Sequence, residues 1–353
     1  SKSPFDYQGL SATLKGGVNH VGEADTDISA FTDVSLRYAK AFNDKVAFKI
    51  TGQFLDAEDW RATDDRGKDG TLGFLNGTTR SDLTHNGVNT LGDETIFPID
   101  IDGDFDFDDG VEVSRTGWGE EDLVDYTAQS IKFGGALHYK FNANIEGILQ
   151  ANFGSGQNVY TGIDRYSIVD FSLNTYKAEL RGSNFNLRAY TTRENSGDSY
   201  AAGLLAIWLN EELSPCSEFD NNGNVIGGWY VDYTTAFLGG VDPGQAGSHE
   251  FAREFADSQM AQPGTPEFEA AVDRITSTPI TANDGALFLD RTKLYSYEGS
   301  YNFSNQIDFA EVIVGANYRK YALDSEGTLF ALDENGDEYG ITEFGGFVQA
   351  SKR

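Results

Sequence analysis

The fold is decided by residues 34–54, VSLRYAKAFNDKVAFKITGQF, in which apolar and polar side chains alternate on either side of a short polar turn. Successive side chains of a β-strand point to opposite faces of a sheet. The alternation therefore predicts two antiparallel strands that share one apolar face and one polar face, joined through Asn43, Asp44 and Lys45. Strands of about ten residues are also long enough to cross a bilayer at a tilt.

The same pattern recurs along the chain, and we count about ten such strands in all. The first of them, around residues 10–20, shows the weakest alternation. In the segment from Phe171 to Leu180 the apolar set changes face at Thr175, which predicts a β-bulge or a local twist there. The remaining predicted strands lie near residues 131–141, 145–153, 185–190, 295–303, 312–319 and 343–351.

The links between these strands alternate between short and long. Short links are predicted near residues 43–45, 142, 182–183 and 304–306, and long links follow Val21, Glu58, Ser155, Asn195 and Asp324. Bacterial outer-membrane barrels have short turns at one rim and long loops at the other. The order of links therefore favours a barrel over a β-sandwich, which has no reason to keep its long loops at one end.

The link spanning residues 196–290 is too long to lack structure of its own. Thr265 and Pro266 form an N-cap and first-turn signal, and Phe268, Ala271, Val272 and Ile275 then recur at helical spacing. A second short helix is predicted near residues 200–209. Together these helices are expected to form a folded cap over the mouth of the barrel.

Charge and motif content exclude several classes of function. The net charge of −30 excludes a nucleic-acid partner, because phosphate binding requires a basic surface. The single cysteine, Cys216, and four scattered histidines provide no zinc or iron–sulfur ligand set. We find no catalytic motif and predict that the protein is not an enzyme. The sequence also has no apolar run of about 18 residues, so any membrane crossing would use strands.

Four stretches resemble barrel segments of TonB-dependent outer-membrane receptors, especially those of Bacteroidota. They are the opening SKSPFDYQGL (1–10), LRYAKAF (36–42), LRAYTT (187–192) with GDSY (197–200), and FGGFVQ (344–349). The opening stretch resembles the exit from the plug domain into the first strand of the barrel. The resemblance extends over most of the chain through the order of its strands and links.

The resemblance implies an all-β fold: an antiparallel transmembrane barrel of about 22 strands in the bacterial outer membrane, with short periplasmic turns and long extracellular loops. Residues 1–353 would be the first ten or so strands, without the plug, of a longer gene product. The implied function is import of a scarce ligand, such as a ferric chelate, an oligosaccharide, a peptide or cobalamin. The implied partners are outer-membrane lipid, the plug, the TonB complex and a surface lipoprotein.

Two other functions remain open from the sequence. One is a structural or adhesive outer-membrane barrel, whose loops would bind partners without transport. The other is a soluble, acidic β-protein that binds glycans. A soluble protein would fold as a closed body, whereas a section of a larger barrel would expose two edge strands and a large apolar face.

Five aromatic residues of the long links are candidates for ligand binding, since indole and phenol rings stack on sugars and chelators. They could equally pack the cores of the loops. The candidates are Trp60, Trp118, Trp208, Trp229 and Tyr230.

Basic residues on the polar faces of the predicted strands would point into the lumen of a barrel. There they would contact the plug or guide an anionic ligand, unless they serve only to solvate a water-filled interior. This set includes Arg37, Lys49, Lys132, Arg188 and Arg319.

The densest run of acidic residues is a candidate calcium site, because calcium takes six to eight oxygen ligands from flexible loops. It comprises Asp100, Asp102, Asp104, Asp106 and Asp108. EF-hand spacing fails, since counting from Asp104 places Gly110 one residue late and Arg115 at the twelfth position. A solvated acidic loop is the alternative, and we predict no other cofactor.

Overall fold

The computed structural model describes residues 2–19, 28–61, 64, 66–68, 75–79, 82–99, 110–162 and 164–352. Its principal element is one antiparallel sheet of ten long strands. These strands are β1 Gly9–Asn19, β2 Ser29–Ala41, β3 Val46–Glu58, β4 Thr127–Asn142, β5 Ile145–Thr161, β6 Arg165–Gly182, β7 Phe185–Asn195, β8 Lys293–Asn302, β9 Ala310–Ala322 and β10 Gly340–Lys352.

The ten strands follow one another across the sheet in chain order, so each long strand pairs with its neighbours in the sequence. A short strand, Tyr200–Ala201, pairs with Tyr166 and Ser167 near the beginning of β6. The prediction of an antiparallel sheet of about ten strands is confirmed. Within the described part of the chain the sheet is open, with β1 and β10 as its two edges.

The register brings most of the apolar side chains of the ten strands onto one face, called here the outer face. Val34 lies opposite Leu14 in β1 and Phe54 in β3, and Phe54 in turn lies opposite Ile131 in β4. Paired residues of neighbouring strands point to the same side of a sheet. A slip of one residue would move a whole strand's apolar set to the other side, so this alignment specifies the register strongly.

The outer face is exposed across the whole sheet. Leu14 in β1 is 76% exposed, Leu149 in β5 is 61% exposed and Phe344 in β10 is 80% exposed. Exposed apolar patches on soluble monomers rarely exceed a few hundred Å². The outer face therefore requires an apolar environment that the described residues do not provide.

Short turns connect β2 to β3, β4 to β5, β6 to β7 and β8 to β9 at one end of the sheet, which we call the short-turn rim. The first of them is closed by Asn43, whose Oδ1 accepts hydrogen bonds from the backbone N–H groups of Lys45 and Val46. Asparagine favours such turns because its short side chain replaces a backbone acceptor.

The long link predicted after Ser155 is wrong. β5 continues to Thr161 and β6 begins at Arg165, so the two strands form a hairpin that extends past their neighbours. Alternation continues through this region, with Tyr160 paired with Tyr166. Side chains that suit a strand occupy the positions that the spacing of links had assigned to a loop.

The predicted bulge at Thr175 is also misplaced. Thr175 pairs with Asn152 in an unbroken register, and the irregularity lies between Ile168 and Phe171, where Asp170 has a φ of 51°. The apolar residues change face at Thr175, but the backbone does not. The bulge lies nearer the far end of the hairpin, where it increases the local twist.

Two of the long links form a helical cap at the end of the sheet opposite the short-turn rim. We define the cap as the described residues of 82–126 and 196–290. Its helices are α1 Ala202–Leu213, α2 Trp229–Phe237, α3 His249–Asp257 and α4 Pro266–Thr276. None of the helices in the described part of the chain is long and apolar enough to span a membrane.

The prediction of α4 is confirmed. The side chain of Thr265 accepts a hydrogen bond from the backbone N–H of Phe268, and Pro266 is the first helical residue. Phe268 and Ile275 are buried on one face. The helix predicted over residues 200–209 is confirmed in part, since α1 begins at Ala202 after the short strand.

The two long links pack into a single hydrophobic core, although four strands, β4 to β7, separate them in the sequence. Leu91 and Val113 from the first link pack with Leu205 and Leu209 of α1 in this core. Leu205, Leu209 and Val113 are fully buried. Each link is thus stabilised by the apolar surface of the other.

Candidate functional site

The polar face of the sheet, opposite the outer face and called here the inner face, carries all five basic residues predicted to face a lumen. Each of them is paired across the sheet with another residue of the polar face, as Arg37 is with Thr51 and Lys49 with Ala136. The described inner wall is therefore polar and charged where the outer face is apolar.

Arg188 and Arg319 take part in ion pairs between neighbouring strands. The Arg188 guanidinium donates to the Glu298 carboxylate, and Arg319 lies 4.0 Å from Glu343. Opposite charges on facing strand positions stabilise a sheet modestly. These two arginines therefore contribute to the wall itself.

Arg37 and Lys49 hold the segment that precedes β1. The Arg37 guanidinium donates to the carbonyl oxygen of Tyr7 at 2.8 Å, and the Lys49 ammonium donates to the carbonyl oxygen of Lys2 at 3.3 Å. Phe5 lies under the Lys140 ammonium, 4.1 Å from its ring centroid. Residues 2–8 therefore lie against the inner face, close to the short-turn rim.

Lys132 lies farther along the same wall, in a depression of about 890 Å³. Polar residues such as Gln53 and Asn152 line it, together with Phe171 and Leu173 near the hairpin. The depression has the volume of a small-molecule site, but it is open on one side.

Four of the five candidate aromatic residues belong to the cap, and Trp60 lies outside it, just after β3. Trp229 is fully buried and donates its indole N–H to Asp257 Oδ1 at 2.8 Å. The Tyr230 hydroxyl lies 3.0 Å from the carbonyl oxygen of Thr95 and donates to the backbone there. Trp118 packs against Phe268, with ring centroids 5.1 Å apart.

These contacts make Trp118, Trp229 and Tyr230 packing residues of the cap, which is the alternative that the sequence left open. Trp208 is half-buried against the same core. Trp60 alone of the five is exposed, at 62%, and follows directly after β3. Ligand stacking in this structure is therefore open to Trp60, whereas the faces of the three buried rings contact protein.

The predicted calcium ligands Asp100, Asp102, Asp104, Asp106 and Asp108 lie outside the described residues. Among the residues that the structure describes, no group of three or more His, Cys, Asp or Glu side chains is arranged to hold a metal ion. Calcium binding by the acidic run stays a prediction.

The cap also contains a polar cavity of about 440 Å³ that the sequence did not reveal. Asp93, Trp118, Arg253 and Asp257 are among its lining residues. Burial raises the pKa of Asp93 to about 7, and burial also raises the pKa of Asp257. No spacing in the sequence marks this group, because its members come from both long links and meet only through the packing of the cap.

Close backbone contacts shape the cavity. A Cβ atom added at Gly117 would lie 2.6 Å from the carbonyl oxygen of Leu91, so a larger residue would push the two segments apart. Gly92 adopts a φ of 87°, a left-handed conformation that favours glycine. These two glycines were the only signal in the sequence that could have indicated a tightly folded segment around Asp93.

No protein-family model and no curated protein matches the sequence. Among solved structures, the chain is similar to a mutant of the ferric enterobactin receptor PfeA of Pseudomonas aeruginosa, with 12% identity and a TM-score of 0.43. The match covers 97% of this chain and 36% of that chain.

Two further similar structures are the siderophore receptor PiuA of Acinetobacter baumannii and the ferric-catecholate import receptor Fiu of E. coli K12. PiuA gives 11% identity, a TM-score of 0.40 and coverage of 97% of this chain and 42% of that chain. Fiu gives 9% identity, a TM-score of 0.39 and coverage of 97% and 46%. The chain spans less than half the length of these receptors.

Proposed function

We propose that this chain forms a section of the wall of a bacterial outer-membrane β-barrel, within a TonB-dependent receptor that imports a scarce ligand. The observation that carries the proposal is the opposition of the two faces of the sheet. The outer face is apolar and exposed across ten strands, as at Leu149 and Phe344, and the inner face is charged. Lipid on one side and water on the other would satisfy both faces.

The orientation follows from the connections. The short-turn rim would face the periplasm, and the cap would face the cell exterior, as in outer-membrane barrels generally. Residues 2–8 would then contact the inner wall at the periplasmic end through Arg37 and Lys49. This is where a plug domain and, through it, the TonB complex would connect in a receptor of about 22 strands.

The ligand would be a ferric chelate, an oligosaccharide, a peptide or cobalamin. Trp60 would contact the ligand at the cell exterior, where its exposed ring can stack on a planar or cyclic solute. Lys132, Arg37 and Lys49 would present positive charge along the inner wall to an anionic ligand or to the plug. A surface lipoprotein over the cap is a further proposed partner.

The soluble alternative is disfavoured by the outer face. A soluble glycan-binding β-protein would bury these side chains between two sheets, whereas Leu14, Leu149 and Phe344 are more than half exposed here. A structural or adhesive barrel would share the membrane wall and would differ only in lacking energised uptake.

The experiment that tests the proposal is ligand uptake by cells that express the whole gene product in the outer membrane. Labelled ferric enterobactin, cobalamin, an oligosaccharide and a peptide would be supplied to matched cells with and without TonB. We expect accumulation of one of them only when TonB is present. Insertion in the outer membrane with no TonB-dependent uptake would support the structural barrel, and recovery in a soluble fraction would contradict both barrel functions.

A further inference from the structure

The polar cavity of the cap lies between the first long link and the C-terminal end of α3, and has a volume of about 440 Å³. This volume falls within the range of about 300–1,000 Å³ typical of small-molecule sites. Six of its lining residues carry the argument: Asp93, Thr116, Trp118, Arg115, Arg253 and Asp257.

Buried polar atoms of the cavity lining that have no hydrogen-bond partner among the residues that the structure describes include Asp93 Oδ1, Trp118 Nε1 and Arg115 Nε. Asp93 is 2% exposed, and its Oδ2 accepts from the backbone N–H of Gly87 at 2.8 Å, whereas its Oδ1 has no partner. Trp118 is 5% exposed, and its indole Nε1 also has no partner. Buried polar atoms are nearly always hydrogen-bonded in native proteins. An acceptor and a donor are therefore both available to a solute in this cavity.

Asp257, Thr116 and Arg253 already form hydrogen bonds with one another or with Trp229. Asp257 Oδ2 accepts from the Thr116 hydroxyl at 2.9 Å, and its Oδ1 accepts from the Trp229 indole at 2.8 Å. The Arg253 guanidinium donates to the Thr116 oxygen at 3.0 Å and lies over the Trp229 ring. This network fixes one wall of the cavity, and Asp93 Oδ1, Trp118 Nε1 and Arg115 Nε stay available to a solute.

The charge of the lining selects the kind of solute. Five carboxylates face the cavity against two guanidinium groups, so a cation is favoured and an anion is repelled. Arg115 is also held by the Glu211 carboxylate at 2.5 Å and by the carbonyl oxygen of Asn210 at 2.8 Å. The five carboxylates are those of Asp82, Asp93, Glu121, Asp122 and Asp257.

We propose that this cavity binds a small organic cation that also carries hydroxyl groups, such as an amino polyol or an amino sugar. Its ammonium group donates to Asp93 Oδ1, and one of its hydroxyl oxygens accepts from the Trp118 indole N–H. The bound cation supplies the hydrogen bond that Asp93 Oδ1 otherwise lacks in its buried position. The inference is independent of the proposed transport function, because it concerns binding to the cap alone.

The protonation of Asp93 gives the site a measurable signature. Its pKa of about 7, raised by burial and by Glu94 and opposed by Lys68, means that a bound cation displaces a proton near neutral pH. The other titratable or charged side chains that line the cavity are Asp82, His85, Arg115, Glu121, Asp122, Arg253 and Asp257.

The test is isothermal titration calorimetry on the whole chain in detergent, with 1-amino-1-deoxysorbitol and sorbitol as probes. The two compounds differ in a single ammonium group that replaces a hydroxyl. We expect the amino compound to bind at pH 8 at least roughly tenfold more tightly than sorbitol, as a charge-assisted hydrogen bond provides. Its binding should weaken below pH 7 and release protons, seen by comparing buffers of different ionisation enthalpy.

Three variants sharpen the test. Asp93→Asn should remove the preference for the amino compound, while Trp118→Phe should weaken both probes by about two- to tenfold through loss of one hydrogen bond. Glu254→Gln, on the exposed side of α3 and outside the cavity, should change neither. If Asp93→Asn does not fold, the pH dependence of the unmodified protein still decides.

Three outcomes would overturn the inference. The first is equal affinity for the two probes, and the second is no binding of either. The third is tighter binding of Ca²⁺ than of the amino polyol in competition, which would make this a site for an inorganic cation.

Discussion

The sheet and the cap of this protein place their large apolar side chains in opposite positions. In the sheet, Leu149 and Phe344 are 61% and 80% exposed, whereas in the cap Trp229 and Leu205 are fully buried. The cap makes its own core from two distant links, whereas the described residues provide no core on the outer side of the sheet. The difference indicates that the sheet uses its surroundings as the partner of its apolar face, whereas the cap folds as a small water-soluble body does.

The largest expected effect is in the core of the cap. Trp229→Ala should destabilise the cap by about 3–5 kcal/mol, because it removes a fully buried ring and leaves a cavity. Trp60→Ala, at an exposed ring, should change stability by less than about 0.5 kcal/mol. Hydrogen exchange of the cap amides measures both, and equal effects of the two variants would contradict the assignment of the core.

A charge on the outer face should act next most strongly, and only in a bilayer. Leu149→Arg should destabilise the membrane-inserted protein by about 2–4 kcal/mol, because it places a guanidinium group in the hydrocarbon region. Gln150→Arg, one residue later on the polar inner face, is the matched control and should have little effect. Urea unfolding in lipid vesicles gives the two free energies, and a reversed order would show that the faces are assigned the wrong way round.

The pH dependence of the cap should follow Asp93. Its folded-state pKa of about 7 lies above the ordinary value of 3.8, so its contribution to stability is fully present below pH 4 and is lost as pH rises to 7. Asp93→Asn should remove this loss and make the cap more stable above pH 7 by about 1–3 kcal/mol. Thermal unfolding at pH 4, 5.5, 7 and 8.5 measures the effect, and parallel profiles for the two proteins would exclude it.

The smallest of these effects is at the start of α4. Thr265→Ala should cost about 1 kcal/mol, because the backbone N–H of Phe268 loses its side-chain acceptor. Thr265→Ser retains the hydroxyl and should restore most of the stability. Thermal unfolding of the three proteins measures the contribution of this N-cap hydrogen bond of α4. An unchanged stability of Thr265→Ala would show that the hydrogen bond contributes nothing.

Features that depend on neighbouring residues could be predicted from the sequence. The alternation around Val34 and Phe54 determines which side chains share a face, and the Thr265-Pro266 pair determines where α4 begins. Both signals are local, since a strand or a helix start is specified within a few residues.

Features that depend on contacts between distant segments could not be predicted from the sequence. Trp118 and Trp229 resemble exposed loop aromatics until 82–126 and 196–290 pack together, and Asp93 becomes buried only through the same packing. The bulge was predicted in the wrong place for a related reason. Phe171 and Leu173 are apolar residues on the polar face, and the backbone between Phe171 and Leu180 keeps a regular register. Polarity is visible in a sequence, but burial is a property of the assembled fold.

The most direct test of the central claim is a spin-label scan of residues 147–153 in β5, with the protein in lipid bilayers. Cys216 is the only cysteine in the sequence, so a Cys216→Ser background allows one label at a time. Labels at 147, 149, 151 and 153 should collide mainly with oxygen dissolved in lipid, and labels at 150 and 152 with a water-soluble nickel complex; Ile148 is buried and is left unlabelled. Equal access of the nickel complex to both sets would contradict a lipid-facing outer face, and with it the membrane wall.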